Sequence, residues 1–171
     1  GDRTSIELPE VQRNILKALK KAGKKVIFVN CSGSAMALVP ETQSCDAILQ
    51  AWYPGQAGGT AVADIIFGDY NPSGKLPVTF YKNTEQLPDF EDYSMKGRTY
   101  RYMTESPLFP FGYGLSYTTF QFSKAGLNKR VATINQPVQF KVNVKNTGKR
   151  DGTEVVQIYI RKADGKPEGF S

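Results

Sequence analysis

The sequence predicts an α/β layered sandwich with a mostly parallel sheet flanked by helices, followed by a partial all-β sandwich. Three observations predict it. Helix-period and strand-length apolar stretches alternate through the first half of the chain. A glycine-rich elbow, Pro54 to Gly59, joins a strand-length run to a helix-period run. Beyond Ser123 the apolar residues recur with period two.

The first helix follows Pro9, whose missing N–H would have had no partner in a first turn. Val11, Ile15, Leu16 and Leu19 form its apolar stripe, Gly23 ends it, and Glu7 and Glu10 supply negative charge to its N-terminus. Lys25 to Cys31 reads as a strand buried on both faces. Ser32-Gly33-Ser34 turns it, and Ala35 to Val39 leads into a loop or short helical turn before Pro40. Asp46 to Trp52 is the next strand. After the elbow, Ala61, Val62, Ile65 and Ile66 share one face of a helix capped by Gly68. Gly58 and Gly59 are expected to let that helix approach the sheet closely.

Lys75 to Tyr81 reads as a strand that Pro77 confines to an edge or a strand beginning. Residues 82–110 lack periodicity, and a connection that long is expected to be functional or to wrap another domain. Within it, Arg98 to Tyr102 reads as alternating strand with its arginines facing water. The aromatics from Phe109 to Phe122 are expected to pack between two units. Val138 to Val144 and Glu154 to Ile160 are two strands of the β-sandwich, separated by the turn Asn146-Thr147-Gly148. A sandwich takes about seven strands and roughly 100 residues. The division expected is therefore 1–122 and 123–171, the second unit truncated and the chain a fragment.

Composition narrows the chemistry. At 171 residues, 40% hydrophobic and 22% charged, the chain reads as soluble and globular. No apolar run approaches the roughly 20 residues of a membrane helix, so no membrane partner is expected. The net charge of +6 reads as a surface rich in lysine, clustered at Lys17, Lys20, Lys21, Lys24 and Lys25 on the polar side and exit of the first helix; no nucleic-acid partner is expected. Histidine is absent, which removes serine–histidine triads, cysteine–histidine dyads and histidine metal sites. Cys31 and Cys45 lack metal spacing and read as small reduced core residues. The elbow has neither Gly-x-Gly-x-x-Gly nor Gly-Lys-Ser/Thr, which argues against a phosphate cradle. No metal or organic cofactor is expected.

Four ordered motifs carry a resemblance: Gly1-Asp2-Arg3, Ala51-Trp52-Tyr53-Pro54-Gly55-Gln56-Ala57-Gly58-Gly59, Asn71-Pro72-Ser73-Gly74-Lys75-Leu76-Pro77-Val78-Thr79-Phe80 and Phe109-Pro110-Phe111-Gly112-Tyr113-Gly114-Leu115-Ser116-Tyr117. With them the chain resembles the family-three glycoside hydrolases, the bacterial β-glucosidases and β-xylosidases. The resemblance implies the later part of their α/β sandwich domain plus the opening strands of a fibronectin-III-like domain. It implies a retaining, exo-acting enzyme on β-linked oligosaccharides or aryl glycosides. In that family an N-terminal barrel carries the nucleophilic aspartate, onto which this part would dock, and the acid/base glutamate lies shortly before Gly-Asp-Arg. Neither catalytic carboxylate transfers to a residue here, and Glu7, Glu10 and Glu41 have no defined carboxylate partner. The isolated chain is expected to be inactive.

The supporting candidates are Asp2 and Arg3, an ion pair that would brace the acid/base loop or simply face solvent, and Trp52 and Tyr53. These two end a strand where open α/β sheets bind ligands, and they suit either a sugar ring or packing beneath the elbow. The alternative function is a non-catalytic carbohydrate-binding or scaffold module.

Overall fold

The computed structural model describes residues 3–160. The chain is mixed α/β, with two small sheets and helices between and beside them. Helix α1 spans Glu10–Lys21, with Pro9 at its N-cap and Lys20 and Lys21 in its last turn. Strand β1, Ile27–Asn30, and strand β2, Ala47–Gln50, pair in parallel, Ile27 opposite Ala47 and Asn30 opposite Gln50. Between them lies α2, Val39–Ser44, with Pro40 inside its first turn rather than ahead of it. Proline fits there because its nitrogen needs no partner. Helix α3, Gly58–Phe67, follows the elbow and stops at Gly68, whose left-handed φ of 85° closes the cap.

The core lies under this parallel pair. Leu8, Met36, Leu38 and Phe80 are buried together, with Leu16, Phe28, Ile48, Trp52, Leu76 and Phe109 packed around them. Glu41 is 1% exposed within α2, and Arg13 of α1 meets it at 3.0 Å while also donating to the Ala37 carbonyl. This ion pair locks α1 onto α2.

Several expectations are corrected. The strand Lys25–Cys31 is not buried on both faces: within β1 Ile27 is half exposed and only Asn30 is buried, so nothing covers the face at its start. Cys31 is exposed, while Cys45 is buried and burial pushes its thiol up; both are free. In α1 the stripe is largely uncovered, with Val11, Ile15 and Leu19 exposed. Gly58 does not bring α3 onto the sheet. A Cβ there would meet the Pro54 ring at 2.6 Å, so that glycine serves the elbow itself.

Residues 75–81 are no continuous strand. Their backbone meets residues 108–113 around Leu76, which donates to the Tyr113 carbonyl and accepts from Gly112 N–H, and around Phe80, which donates to the Phe109 carbonyl and accepts from Leu108 and Phe109. Pro77 on one side and Pro110 on the other remove the donors a ladder would need. Arg98–Tyr102 is not a strand either: Thr99–Tyr102 is one helical turn, α4, preceded by a 3-10 turn at Thr84–Gln86.

Strands β3, Phe120–Leu127, and β4, Phe140–Asn146, pair antiparallel with a bulge between Ser123 and Gly126. The expected strand over Glu154–Ile160 does not form; the segment runs beside Lys75, Tyr100 and Gly112 instead. Glu154 meets Lys75 at 3.0 Å, Gln157 donates to the Gly112 carbonyl, and the Tyr159 ring abuts Tyr100 edge-on. Asn71 ties the junction. Its Oδ1 accepts from Ser116 Oγ and Tyr117 N–H, and its Nδ2 donates to the Asp151 carbonyl. Phe109 stacks on Tyr113 at 4.9 Å and meets Phe80 edge-on.

Candidate functional site

The carboxyl ends of β1 and β2 form one rim. Because the strands are parallel, Asn30 and Gln50 end them side by side. Asn30 is 4% exposed, and its Nδ2 donates to Gln50 Oε1 at 2.6 Å and to Ser32 Oγ at 3.1 Å. Gln50 Nε2 returns to Ser32 Oγ, and Ser32 Oγ donates to the Ser34 carbonyl. Such a closed amide–hydroxyl network fixes both turns, since a buried amide left unpaired costs about 1–3 kcal/mol.

Trp52 and Tyr53 follow directly, and the structure separates them. Trp52 is half-buried with its ring edge-on to Phe80 at 6.1 Å, so it packs beneath the rim. Its φ is 54°, a left-handed conformation that costs a bulky residue on the order of 1–3 kcal/mol. Tyr53 is 78% exposed and lies over Gly33, where any Cβ would collide with its ring. Gly33 thus leaves the room that Tyr53 occupies, and Tyr53 is the member of the pair open to a ligand.

Arg3 is exposed, and its guanidinium donates to Met36 Sδ at 2.7 Å. Asp2, its expected ion-pair partner, lies outside the described residues. Glu7 has a larger part than the sequence suggested. It does not serve the N-terminus of α1; its carboxylate accepts from Thr84 N–H at 2.9 Å, Thr84 Oγ1 at 2.6 Å and the Ser5 hydroxyl. The Ile6 N–H also donates to Thr84 Oγ1, and Glu7 bridges Ala37 in parallel. The Ser5 and Thr84 hydroxyls, with the Thr84 N–H, hold the Glu7 carboxyl down at about 2 against a small opposing effect of burial. Residues 5–7 are thereby sewn to the start of the loop 82–98. No residue type marked this in the sequence, since serine, glutamate and threonine 77 residues apart carry no local pattern.

An open apolar groove of about 780 Å³ lies between β2 and α3, lined by Ile48, Trp52, Ile65, Ile66, Leu76 and Phe80 among others. Asp46 is the one carboxylate among the lining residues, and it is held by Val26 N–H, Lys25 and Lys20. Glycoside cleavage with retention needs two carboxyl groups about 5–5.5 Å apart. Glu41 is committed to Arg13 and Glu7 to Thr84, and Glu10 sits in the exposed first turn of α1. The rim and the groove, among the described residues, hold and shape; they carry no such pair.

The family model described as Glycosyl hydrolase family 3 C-terminal domain matches residues 1–117. A xylan 1,4-β-xylosidase of Xylanibacter ruminicola is 66% identical over 99% of this chain and 19% of its own length. A periplasmic β-glucosidase of Salmonella typhimurium is 44% identical over 94% of this chain and 23% of its own. Among solved structures, a β-glucosidase of Erythrobacter marinus superposes with a TM-score of 0.77 at 40% identity, over 89% of this chain and 20% of that one. β-Glucosidase 3B of Thermotoga neapolitana, in complex with glycerol, gives a TM-score of 0.77 at 31% identity, over 88% and 23%. The chain thus spans about a fifth of the length of the relatives it matches. Family match, relatives and superposition agree: the chain belongs to glycosyl hydrolase family 3, as part of its C-terminal domain.

Proposed function

We propose that this chain is the supporting part of a retaining, exo-acting β-glycosidase, a β-xylosidase or β-glucosidase. In this reading residues up to about 122 are the later part of a layered α/β sandwich. The β3–β4 hairpin and the residues after it open a fibronectin-III-like unit. The family match ends at residue 117 and β3 begins at Phe120, which supports a junction there. A barrel elsewhere in the longer polypeptide supplies the nucleophile, and a segment ahead of Gly1 supplies the acid/base. One carboxylate attacks the anomeric carbon while the other protonates the leaving oxygen, and water then releases the sugar.

The observation that carries the reading is the pairing of family membership with a rim that has no carboxylate pair among its described residues. The work left to this chain is placement. Glu7 anchors the backbone leading in from Arg3, the Asn30–Ser32–Gln50 network stiffens the rim, and Tyr53 stands exposed beside it. Asp2 would pair with Arg3 and brace the acid/base segment.

A chimera tests this. The corresponding segment of the Xylanibacter ruminicola enzyme is replaced by this chain, and hydrolysis of nitrophenyl β-xyloside is measured. Activity within about tenfold of the unaltered enzyme is expected, because the swap leaves the reacting groups in place and about 1.4 kcal/mol is a factor of ten. A folded chimera with activity lost altogether would contradict the reading.

A further inference from the structure

The positive charge of the chain is not spread evenly. From residue 106 to residue 150 there are seven lysines and arginines and no aspartate or glutamate. That excess is larger than the net charge of +6, so the rest of the chain is slightly acidic. The lysines at the exit of α1 are offset locally, Lys20 and Lys25 by Asp46. Those of the β3–β4 hairpin are not. Lys124, Lys141 and Lys145 are exposed and meet no carboxylate among the described residues.

The ladder sorts the hairpin into two faces. Phe122 lies opposite Val144 and Leu127 opposite Phe140, while Gln121 lies opposite Lys145, Ser123 opposite Asn143 and Gly126 opposite Lys141. Phe122 and Leu127 are an odd number of residues apart, a spacing that puts them on opposite faces of a regular strand. The bulge between Ser123 and Gly126, with Lys124 at φ 53°, adds the residue that brings them together. One face is therefore apolar, and the other carries lysines, amides and a hydroxyl. Whatever packs on such a hairpin takes the apolar face, because burying unpaired lysines is costly. The lysine face is left for water or for an anionic partner, however much of the longer polypeptide surrounds it.

Lys141 and Lys145 are four residues apart, about 13 Å along the strand. Duplex nucleic acid carries a charge every ~1.7 Å, and single strands are held by stacked aromatics and arginine. Neither arginine nor an aromatic ring stands on this face. Lysine is a hydrated point charge suited to isolated carboxylates, and the amides of Gln121 and Asn143 beside it suit hydroxyls. Sparse carboxylates among many hydroxyls describe a glycan whose neutral backbone bears occasional uronic acids. We propose that the lysine face of the β3–β4 hairpin binds such an acidic polysaccharide, with Lys141 and Lys145 on its carboxylates. That the polyanion is a glycan rests on the glycosidase reading above; that its charge is sparse rests on this face alone.

The full 171-residue chain is titrated with glucuronoxylan, and with the same polymer after its carboxyl groups have been reduced, while backbone amide shifts are followed. Shifts in residues 121–126 and 141–145 are expected with the first polymer only. They should saturate with a Kd on the order of 1 mM in uronate and weaken as salt is added. Lys141→Gln/Lys145→Gln should weaken binding about fivefold. Lys17→Gln/Lys21→Gln removes the same charge from the exposed side of α1 and should leave binding unchanged. Equal weakening by both pairs would mean attraction to net charge alone, and equal binding of the reduced polymer would leave no role for carboxylates. Tighter binding of a single-stranded oligonucleotide would name a different partner. Each of these results, like no binding at all, overturns the proposal. If the chain alone does not stay folded, retardation of the chimera in a native gel containing glucuronoxylan replaces the titration, with the same variants and outcomes. An inactive chimera counts against the glycosidase reading, whereas an active one that the polymer does not retard counts against this face.

Discussion

The two sheets of this molecule each have two strands, yet they live in different surroundings. Around β1–β2 the chain buries Val26, Asn30, Met36, Leu38 and Phe80. Along β3 and β4 no residue is buried, and Phe122, Leu127, Phe140 and Val144 stand exposed. Parallel strands occur where layers cover them, whereas an antiparallel hairpin closes its own hydrogen bonds and tolerates an open face. The first sheet is therefore held by what packs on it. The second is held by its ladder and by a few polar ties beyond it, such as Thr118 to Asn146 and Arg150 to the Gly68 carbonyl.

This contrast predicts unequal responses to substitution. Phe80→Ala is expected to destabilise the chain by about 3–5 kcal/mol, since the ring is 1% exposed. Phe140→Ala, with its ring 37% exposed, should cost under about 1 kcal/mol. Urea unfolding of both variants measures the gap, and equal costs would break the comparison. Next in size is Arg13→Ala, which leaves the Glu41 carboxylate buried without its partner and should cost about 3 kcal/mol. Replacing both residues by methionine should recover most of that, because the buried charge goes too.

The Lys75–Glu154 tie is worth less. Burial pushes the Glu154 carboxyl up, but Lys75 and the Val155 N–H outweigh it and hold it below the ordinary range. Glu154→Gln is expected to cost about 1 kcal/mol and to speed amide exchange in residues 151–160 while leaving β1 and β2 protected. Uniform loss of protection would show that residues 151–160 do not open separately from β1 and β2.

The first unit's start carries a pH dependence of its own. The folded pKa of Glu7 is about 2 against an ordinary 4.5, so its stabilisation is complete above about 4.5 and is lost as pH falls towards 2. Glu7→Gln should flatten the stability profile within that window and lower it by a constant amount above, where the carboxylate's contribution is complete. An identical acid limb in both proteins would show that Glu7 does not stitch residues 5–7 to Thr84.

The same contrast explains what could be read from the sequence. Helix α3 and its cap at Gly68 were legible because apolar period and a glycine stop are local signals. The β1–β2 pairing followed from two strand-length runs with a crossover between them. The strand over 154–160 was misread because period two describes any extended segment with one apolar side, paired or not. Pro77 and Pro110 spoil a ladder only in combination, and their opposition is a tertiary fact. At the site, Trp52 and Tyr53 were found by position at a strand end, and only packing on Phe80 and Gly33 told buried from open. The Glu7–Thr84 stitch joins common residue types across a distance that leaves no motif.

The account turns on a division of labour in which this chain holds and the rest of the polypeptide cuts. Incubating the purified 171-residue chain with nitrophenyl β-xyloside and β-glucoside addresses it directly. No release above the buffer rate is predicted; steady turnover that co-purifies with the chain and survives removal of host glycosidases would contradict it.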